Sequence, residues 1–260
     1  VERVELKVKN GIANVTMNYP KNLNALNAPM LDDLVEAFDC CEKDETVKVI
    51  VLSGTGKGFS AGGDIAEMIQ GLQQKTVDFS GSMEKLKQTA LKVRRCPKPV
   101  IASLHGPVAG AGFSIALLCD FRIAADNAKF IEAFVNIGLV PDMGSVYSLA
   151  RKVGIGTMTE LVMTGKPLGA QQALDLKLVN QVVAAEELET ETEKFAMFMA
   201  SRPMVAIKNM KEMINNLYYA DFEAALDQET KMQLQCSETQ DFAEGIMAFA
   251  QKRRPAFTGK

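Results

Sequence analysis

The sequence predicts an α/β core followed by a helical tail, and three observations predict it. Short apolar runs with strand character alternate with amphipathic helical stripes up to about residue 200. Two of the strand runs, 47–53 and 99–102, lead into loops rich in small residues, 54–64 and 106–112. From Pro203 onward three helical stripes follow one another with no strand between them. The reading divides the chain into an α/β core, residues 1–200, and a helical region, residues 201–260.

Each element has its own signal. Residues 4–8 alternate, Asn10-Gly11 makes a two-residue turn, and 12–17 alternate again, which reads as a hairpin. Residues 18–27 form a polar, irregular loop. Within 30–44, Leu31, Leu34, Val35, Phe38 and Cys41 recur at helical spacing, and 47–53 is a buried strand. The pattern weakens over 65–81, with Gln70, Gln73, Gln74 and Lys75, and this stretch reads as a mobile connection over a pocket. Residues 83–95 form an amphipathic helix stopped by Pro97. A strand at 99–102 leads through glycines into a buried helix over 113–119, and strands follow at 121–125 and 129–131. An apolar stretch, 135–140, precedes Pro141-Asp142-Met143-Gly144-Ser145, which opens a helix to about residue 153. Helices at 157–163 and 170–176 and a strand at 178–183 complete the alternation. The helix over 186–200 carries glutamates near its start, where the helix dipole favours them. The tail helices read as 203–219, 222–235 and 241–252.

Composition narrows the function. The 260 residues, 47% of them hydrophobic, suffice for one sizeable core. Lysine and arginine (29) nearly balance the acids (32), and the one basic run is Lys252-Arg253-Arg254, so nucleic acid is not an expected partner. No stretch is apolar enough for a membrane span, and the N-terminal VERVELKVKNG does not read as a signal peptide. The five cysteines, Cys40, Cys41, Cys96, Cys119 and Cys236, lack metal-ligand spacing and read as reduced, buried thiols, pointing to the cytoplasm. A single histidine, His105, excludes a histidine-rich metal site and reads as a hydrogen-bonded structural residue.

The chemistry centres on the two loops that follow strands. A strand, a turn of small residues and a helix start leave backbone N–H groups unpaired at the helix N-terminus. Gly106, Ala109, Gly110, Ala111 and Gly112 form one such turn, and Ala61-Gly62-Gly63 closes the other. If the two face each other, one N–H from each makes a hole for an oxygen that develops negative charge. Tight packing between strand and helix is the competing explanation. Nucleotide motifs do not fit: Gly110-Ala-Gly112-Phe-Ser-Ile lacks the third glycine of the dinucleotide fingerprint, and no Ser or Thr follows Lys57.

Three motifs carry a resemblance. FSAGGDIAEM at 59–68, KPVIASLHGPVAGAGFSIALLCD at 98–120 and IGLVPDMGS at 137–145 resemble the enoyl-CoA hydratase/isomerase (crotonase) superfamily, over nearly the whole chain. The resemblance implies a superhelix of ββα units with a helical C-terminal region that packs trimers or dimers of trimers. It implies an acyl-CoA thioester substrate, with coenzyme A as part of the substrate and no separate cofactor. The oxyanion donors would be the N–H groups of Gly63 and Ala111. Ala25, Leu26, Ala61, Asp64 and Ile65 match the loops that line the coenzyme, and Phe249 and Lys252 match positions that approach it from a neighbouring helix or subunit.

The departures from the pattern point to the reaction. Family hydratases use two glutamates, and at those positions this chain has Ser114, a poor acid or base at neutral pH, and Phe134, which is neither. Both are read as lining the substrate. Asp142 remains, at the position of the lone acid in a subgroup of enoyl-CoA isomerases that includes the ring-enoyl isomerase of phenylacetate breakdown. One carboxylate suffices to move a double bond from C3 to C2 by taking a proton at C2 and returning it at C4. An N-cap role for Asp142 stays open beside this reading. Glu132, on the strand FIEAF, reads as an exposed acid, and helix-interior packing is the alternative for Ser114. A hydratase with an altered acid pair and a non-catalytic acyl-CoA-binding protein are the competing functions. Aromatic dehalogenation, which pairs its aspartate with a tryptophan, ranks low because the chain has no tryptophan.

Overall fold

Side chains in a strand alternate between its two faces, and the central strands of this chain are apolar on both. The computed structural model describes residues 3–74 and 79–260. Its main sheet has six strands: β1 (Val4–Lys9), β2 (Ile12–Met17), β3 (Val49–Gly54), β4 (Val100–Leu104), β6 (Phe121–Ala125) and β9 (Gln181–Val183), in the order β1-β2-β3-β4-β6-β9. The hairpin β1–β2 is antiparallel and the remaining pairs are parallel. Ile50 and Leu52 of β3 face a large core shared with α1 (Ala28–Lys43), α3 (Phe79–Arg95) and α4 (Ala111–Leu118). Val49 and Val51 face a smaller core closed by Leu188, Ala196 and Met199 of α7 (Leu188–Ala200).

A second sheet of three short strands, β5 (Pro107–Ala109), β7 (Lys129–Ile131) and β8 (Leu168–Gly169), stands beside the first. Its strands are two or three residues long, too short for periodicity to mark β5 or β8 in the sequence. α4 lies at the centre of the molecule with all eight residues buried. Its C-terminal carbonyls are taken up by arginines: Arg94 Nη1 donates to Leu118 O (3.1 Å) and Arg122 Nη1 to Cys119 O (2.6 Å). Asp120 then bridges Arg94 (2.7 Å) and Lys211 (2.6 Å). Burial works to raise the Asp120 carboxyl, but Lys211 and Arg94 outweigh it and hold the group below the usual range.

The helix α5 (Ser145–Thr164) is broken at Gly154, where the sequence predicts one helix ending and another starting. It is followed by α6 (Ala170–Asp175) and then, beyond α7, by the tail helices α8 (Met204–Tyr218), α9 (Phe222–Ser237) and α10 (Gln240–Ala250). Phe222 and Leu226 of α9 and Phe242 and Ile246 of α10 are buried in the large core, so these two helices close the same interior as the sheet. α8 instead leaves Val205, Met210, Met213 and Leu217 exposed.

Two expectations are corrected here. Residues 65–74 are a helix, α2 (Ile65–Gln74), not an irregular connection. Ile65, Met68, Ile69 and Leu72 form the stripe that packs on the core, and the glutamines that hide this pattern are good helix formers. The rest of the predicted connection falls partly in α3, which begins at Phe79, and partly on residues 75–78, outside the described residues. Not every thiol is buried: Cys41, Cys96 and Cys119 are, Cys40 is exposed and Cys236 is half-buried. His105 has the structural role expected, its Nε2 lying 3.1 Å from Gly56 O.

Candidate active site

The two loops of small residues do lie against each other. Residues 59–61 run beside β5: Phe59 N–H donates to His105 O (2.8 Å), Ser60 N–H to Pro107 O (3.1 Å), and Ala109 N–H to Ser60 O (3.0 Å). From the other side, Leu26 N–H donates to Gly62 O (2.7 Å) and Ala61 N–H to Leu23 O (2.9 Å). Gly62 makes the approach possible. Its φ is +89°, and a Cβ there would lie 2.7 Å from Ala109 O and 3.2 Å from Ala111 N. The N–H groups of Gly63 and Ala111 donate to no other backbone carbonyl among the described residues, and both residues line one pocket. Ala111 is the first residue of α4, so its free N–H is the ordinary consequence of a helix start.

That pocket has a volume of about 490 Å³. Its wall is mainly apolar, with Leu26, Leu31, Met68, Phe79, Met83, Leu86 and Leu139. Asp64 and Glu67 of the α2 entrance also border it. Asp64 is occupied as a cap: its Oδ1 accepts from Ala66 N–H (3.1 Å) and Glu67 N–H (3.3 Å), and its Oδ2 from Asn22 Nδ2 (3.1 Å).

Asp142 lines the same pocket and is 5% exposed. Its Oδ1 is enclosed without a hydrogen-bond partner. The N-cap of α5 is Gly144, and no side chain caps that helix end, so capping is not the role of Asp142. Burial alone pushes its carboxyl up to about 7. A carboxylate of that basicity is a far better proton acceptor than an exposed aspartate.

Two further acids stand around the same loop, and the sequence reading placed neither. Glu132 is 1% exposed, which overturns the expectation of a surface acid. The chain turns inward after β7 into a short 3-10 turn, Ala133–Ile137, and this carries Glu132 under the start of α5. There Ser145 Oγ donates to its Oε1 (2.8 Å) and its Oε2 is left without a partner. Burial pushes its carboxyl up to about 8, against the Ser145 bond and helped by the charge of Asp142. Glu229, on α9, accepts the Gly144 N–H at 2.7 Å. It too is pushed up to about 8, by burial first, with Asp142 and Glu132 adding to the effect. One turn further along α9, Gln233 Oε1 accepts the Val140 N–H at 3.0 Å. The loop carrying Asp142 is thus held at its two ends, residues 140 and 144, by two side chains of a tail helix. Gly144 has a φ of +75°, and a Cβ there would strike the Phe222 ring at 2.1 Å.

Of the residues expected at the site, Leu26, Gly63, Asp64, Ala111 and Asp142 come together on the pocket wall. The others stand behind it or apart. Ala25 is buried beside Leu26. Ala61 is tied to Leu23, and Ile65 packs on the core. Ser114 Oγ bonds back to Gly110 O (3.3 Å) inside α4. The Phe134 ring packs next to Gly110. Phe249 and Lys252 are exposed at the end of α10. Sequence reasoning missed Leu139, Gln233 and Glu229; the first sits in a recognised apolar stretch, whereas the other two sit on a helix whose pattern marks only its core side.

The parallel sheet, its short companion sheet and the facing amide turns define a crotonase-fold chain. The chain belongs to the enoyl-CoA hydratase/isomerase family, whose pattern matches residues 7–260. It is similar to a trans-2-decenoyl-[acyl-carrier-protein] isomerase of Streptococcus mutans, at 38% identity over 97% of each chain. It is similar to a 1,2-epoxyphenylacetyl-CoA isomerase of Escherichia coli, at 34% identity over 97% of each. A crystal structure of an enoyl-CoA hydratase from Mycobacterium avium subsp. paratuberculosis superimposes with a TM-score of 0.89, at 34% identity over 99% of each chain.

Proposed function

We propose that this protein moves the double bond of a 3-enoyl-CoA to C2, with Asp142 carrying the proton. The observation that carries the reading is the position of Asp142: a buried, unpartnered carboxyl on an apolar pocket that also holds the N–H groups of Gly63 and Ala111. The carboxylate takes a proton from C2, and the C–H electron pair moves into the C1–C2 bond. The carbonyl π pair then resides on the thioester oxygen. Gly63 and Ala111 donate to that oxygen, each amide contributing about 3 kcal/mol to lowering the barrier. The protonated Asp142 delivers its proton to C4, the carbonyl re-forms, and the double bond lies between C2 and C3. No water is consumed, which accords with Ser114 and Phe134 standing where a hydratase needs carboxylates.

Coenzyme A is the proposed carrier and enters as part of the substrate. Phe249 and Lys252, exposed near the chain end, are proposed to reach it across a subunit boundary. The proposed assembly is a homotrimer or a dimer of trimers, and the apolar surface of α8 supports self-association.

The test sets trans-3-hexenoyl-CoA against crotonyl-CoA. Isomerisation of the first, with slow hydration of the second, is the expected result. Asp142→Asn abolishes turnover and leaves thioester binding intact. Rapid water addition to crotonyl-CoA without isomerisation of the hexenoyl thioester makes the enzyme a hydratase. Binding without either reaction makes it a non-catalytic acyl-CoA protein. Offering the same acyl group on acyl carrier protein decides the carrier.

A further inference from the structure

Among the polar residues of the pocket wall, Gln233 is a buried one that double-bond migration does not use. It is 3% exposed and lines the pocket beside Leu139 and Asp142. Its carboxamide has a fixed orientation. The Val140 N–H is a donor, so the atom 3.0 Å away must be the amide oxygen. The two Nε2 hydrogens are therefore turned away from the loop, and no described residue accepts them. Nε2 is not among the enclosed atoms left without a partner, so it opens onto the pocket. A methylene laid over it would cover the donor without satisfying it, at a cost on the order of 1–3 kcal/mol.

We propose that Gln233 is a specificity-determining residue: its Nε2 donates a hydrogen bond to an oxygen carried on the acyl group, beyond the reacting carbons. The preferred substrates are then acyl thioesters bearing a carbonyl, ether or similar acceptor oxygen, rather than plain hydrocarbon chains. The donor chemistry sets this class, because –NH₂ can satisfy an acceptor and nothing else. The reacting thioester oxygen is excluded as its target, because the Gly63 and Ala111 amides serve that atom. This inference rests on the pocket holding the acyl group, as the proposed function requires, but not on the reaction that follows.

Binding of saturated acyl-CoAs, which cannot turn over, gives the test. A plain acyl-CoA is compared by calorimetry with a set of the same length carrying one keto oxygen at successive carbons beyond C5. In the wild type, one oxygen position stands out from the rest of the set. Gln233→Met lowers the affinity ratio of keto to plain ligand at that position by about tenfold. Because it also frees the Val140 N–H, the ratio and not the plain-chain affinity is the readout. Gln233→Glu is the second variant. It keeps an acceptor for Val140, and measured at a pH where its carboxyl is ionised it has no hydrogen to give, so it shows the same loss. A ratio that is equal in wild type and variants at every position overturns the proposal, and so does a uniform loss on plain and keto ligands. If the protein binds no acyl-CoA at all, the proposed function fails first, and this inference with it. If keto selectivity is present without isomerisation, only the reaction is wrong.

Discussion

Replacing Asp142 with asparagine should make the protein more stable while it destroys activity, and the gain should depend on pH in a defined way. In the folded chain burial raises this carboxyl from 3.8 to about 7. Between those values the unfolded chain has already released its proton while the folded chain still holds it. Stability due to this group is therefore highest below pH 4, falls as pH rises, and levels off above about 7. The displacement is about three pH units, and at about 1.4 kcal/mol per unit it amounts to about 4 kcal/mol at pH 8. Asparagine has the same shape and no charge to desolvate, so it regains that amount. At pH 5 the regained stability is smaller, on the order of 1–2 kcal/mol, and it fades away below pH 4. Urea unfolding of wild type and Asp142→Asn at pH 5 and pH 8, at one protein concentration, reads the difference. Parallel stability curves for the two proteins across this range would refute the claim that the carboxyl is held in a dry pocket at a thermodynamic cost.

Three other outcomes follow from the same geometry. With 3-enoyl-CoA as substrate, kcat/KM should rise about tenfold per pH unit below about pH 7 and flatten above it, since only ionised Asp142 accepts a proton; a flat acid limb argues against this base. Gly62→Ala should force the Ala109–Ala111 turn away from the Gly63 loop and lower kcat on the order of 100-fold with smaller effects on KM; stopped turnover assays and a thermal midpoint separate this from unfolding. If the protein assembles through α8 as proposed, Leu217→Asp, at a position 69% exposed on that helix, should yield monomers in sedimentation runs without unfolding the subunit, and an unchanged sedimentation profile argues against that surface.

The strand and helix order was legible because it is written locally. Residues 49–52 are apolar at every position, and the structure buries alternate members on opposite sides of the sheet. The amide turns were legible for a similar reason: the small residues at 61–63 and 109–112 gather where two backbones meet closely, as Gly62 does with Ala109. Glu132 and Glu229 were not legible, because burial of an acid is decided by what lies across from it. The FIEAF segment has the alternation of a strand with its acid facing water, yet the chain leaves β7 at Ile131 and turns the acid inward. Glu229 and Gln233 lie one helical turn apart among polar neighbours, which is how a solvated face looks. What makes them part of the site is a pair of backbone N–H groups, at Val140 and Gly144, supplied from about 90 residues earlier in the chain. Those N–H groups are left over because the loop around Asp142 is neither strand nor helix. An irregular loop presenting a buried carboxyl to a mainly apolar pocket needs outside acceptors for its own backbone, and α9 provides them. The tail helix α9 is in this sense part of the site's architecture: without the Glu229–Gln233 clamp, the loop that carries Asp142 would lack the acceptors that fix its backbone.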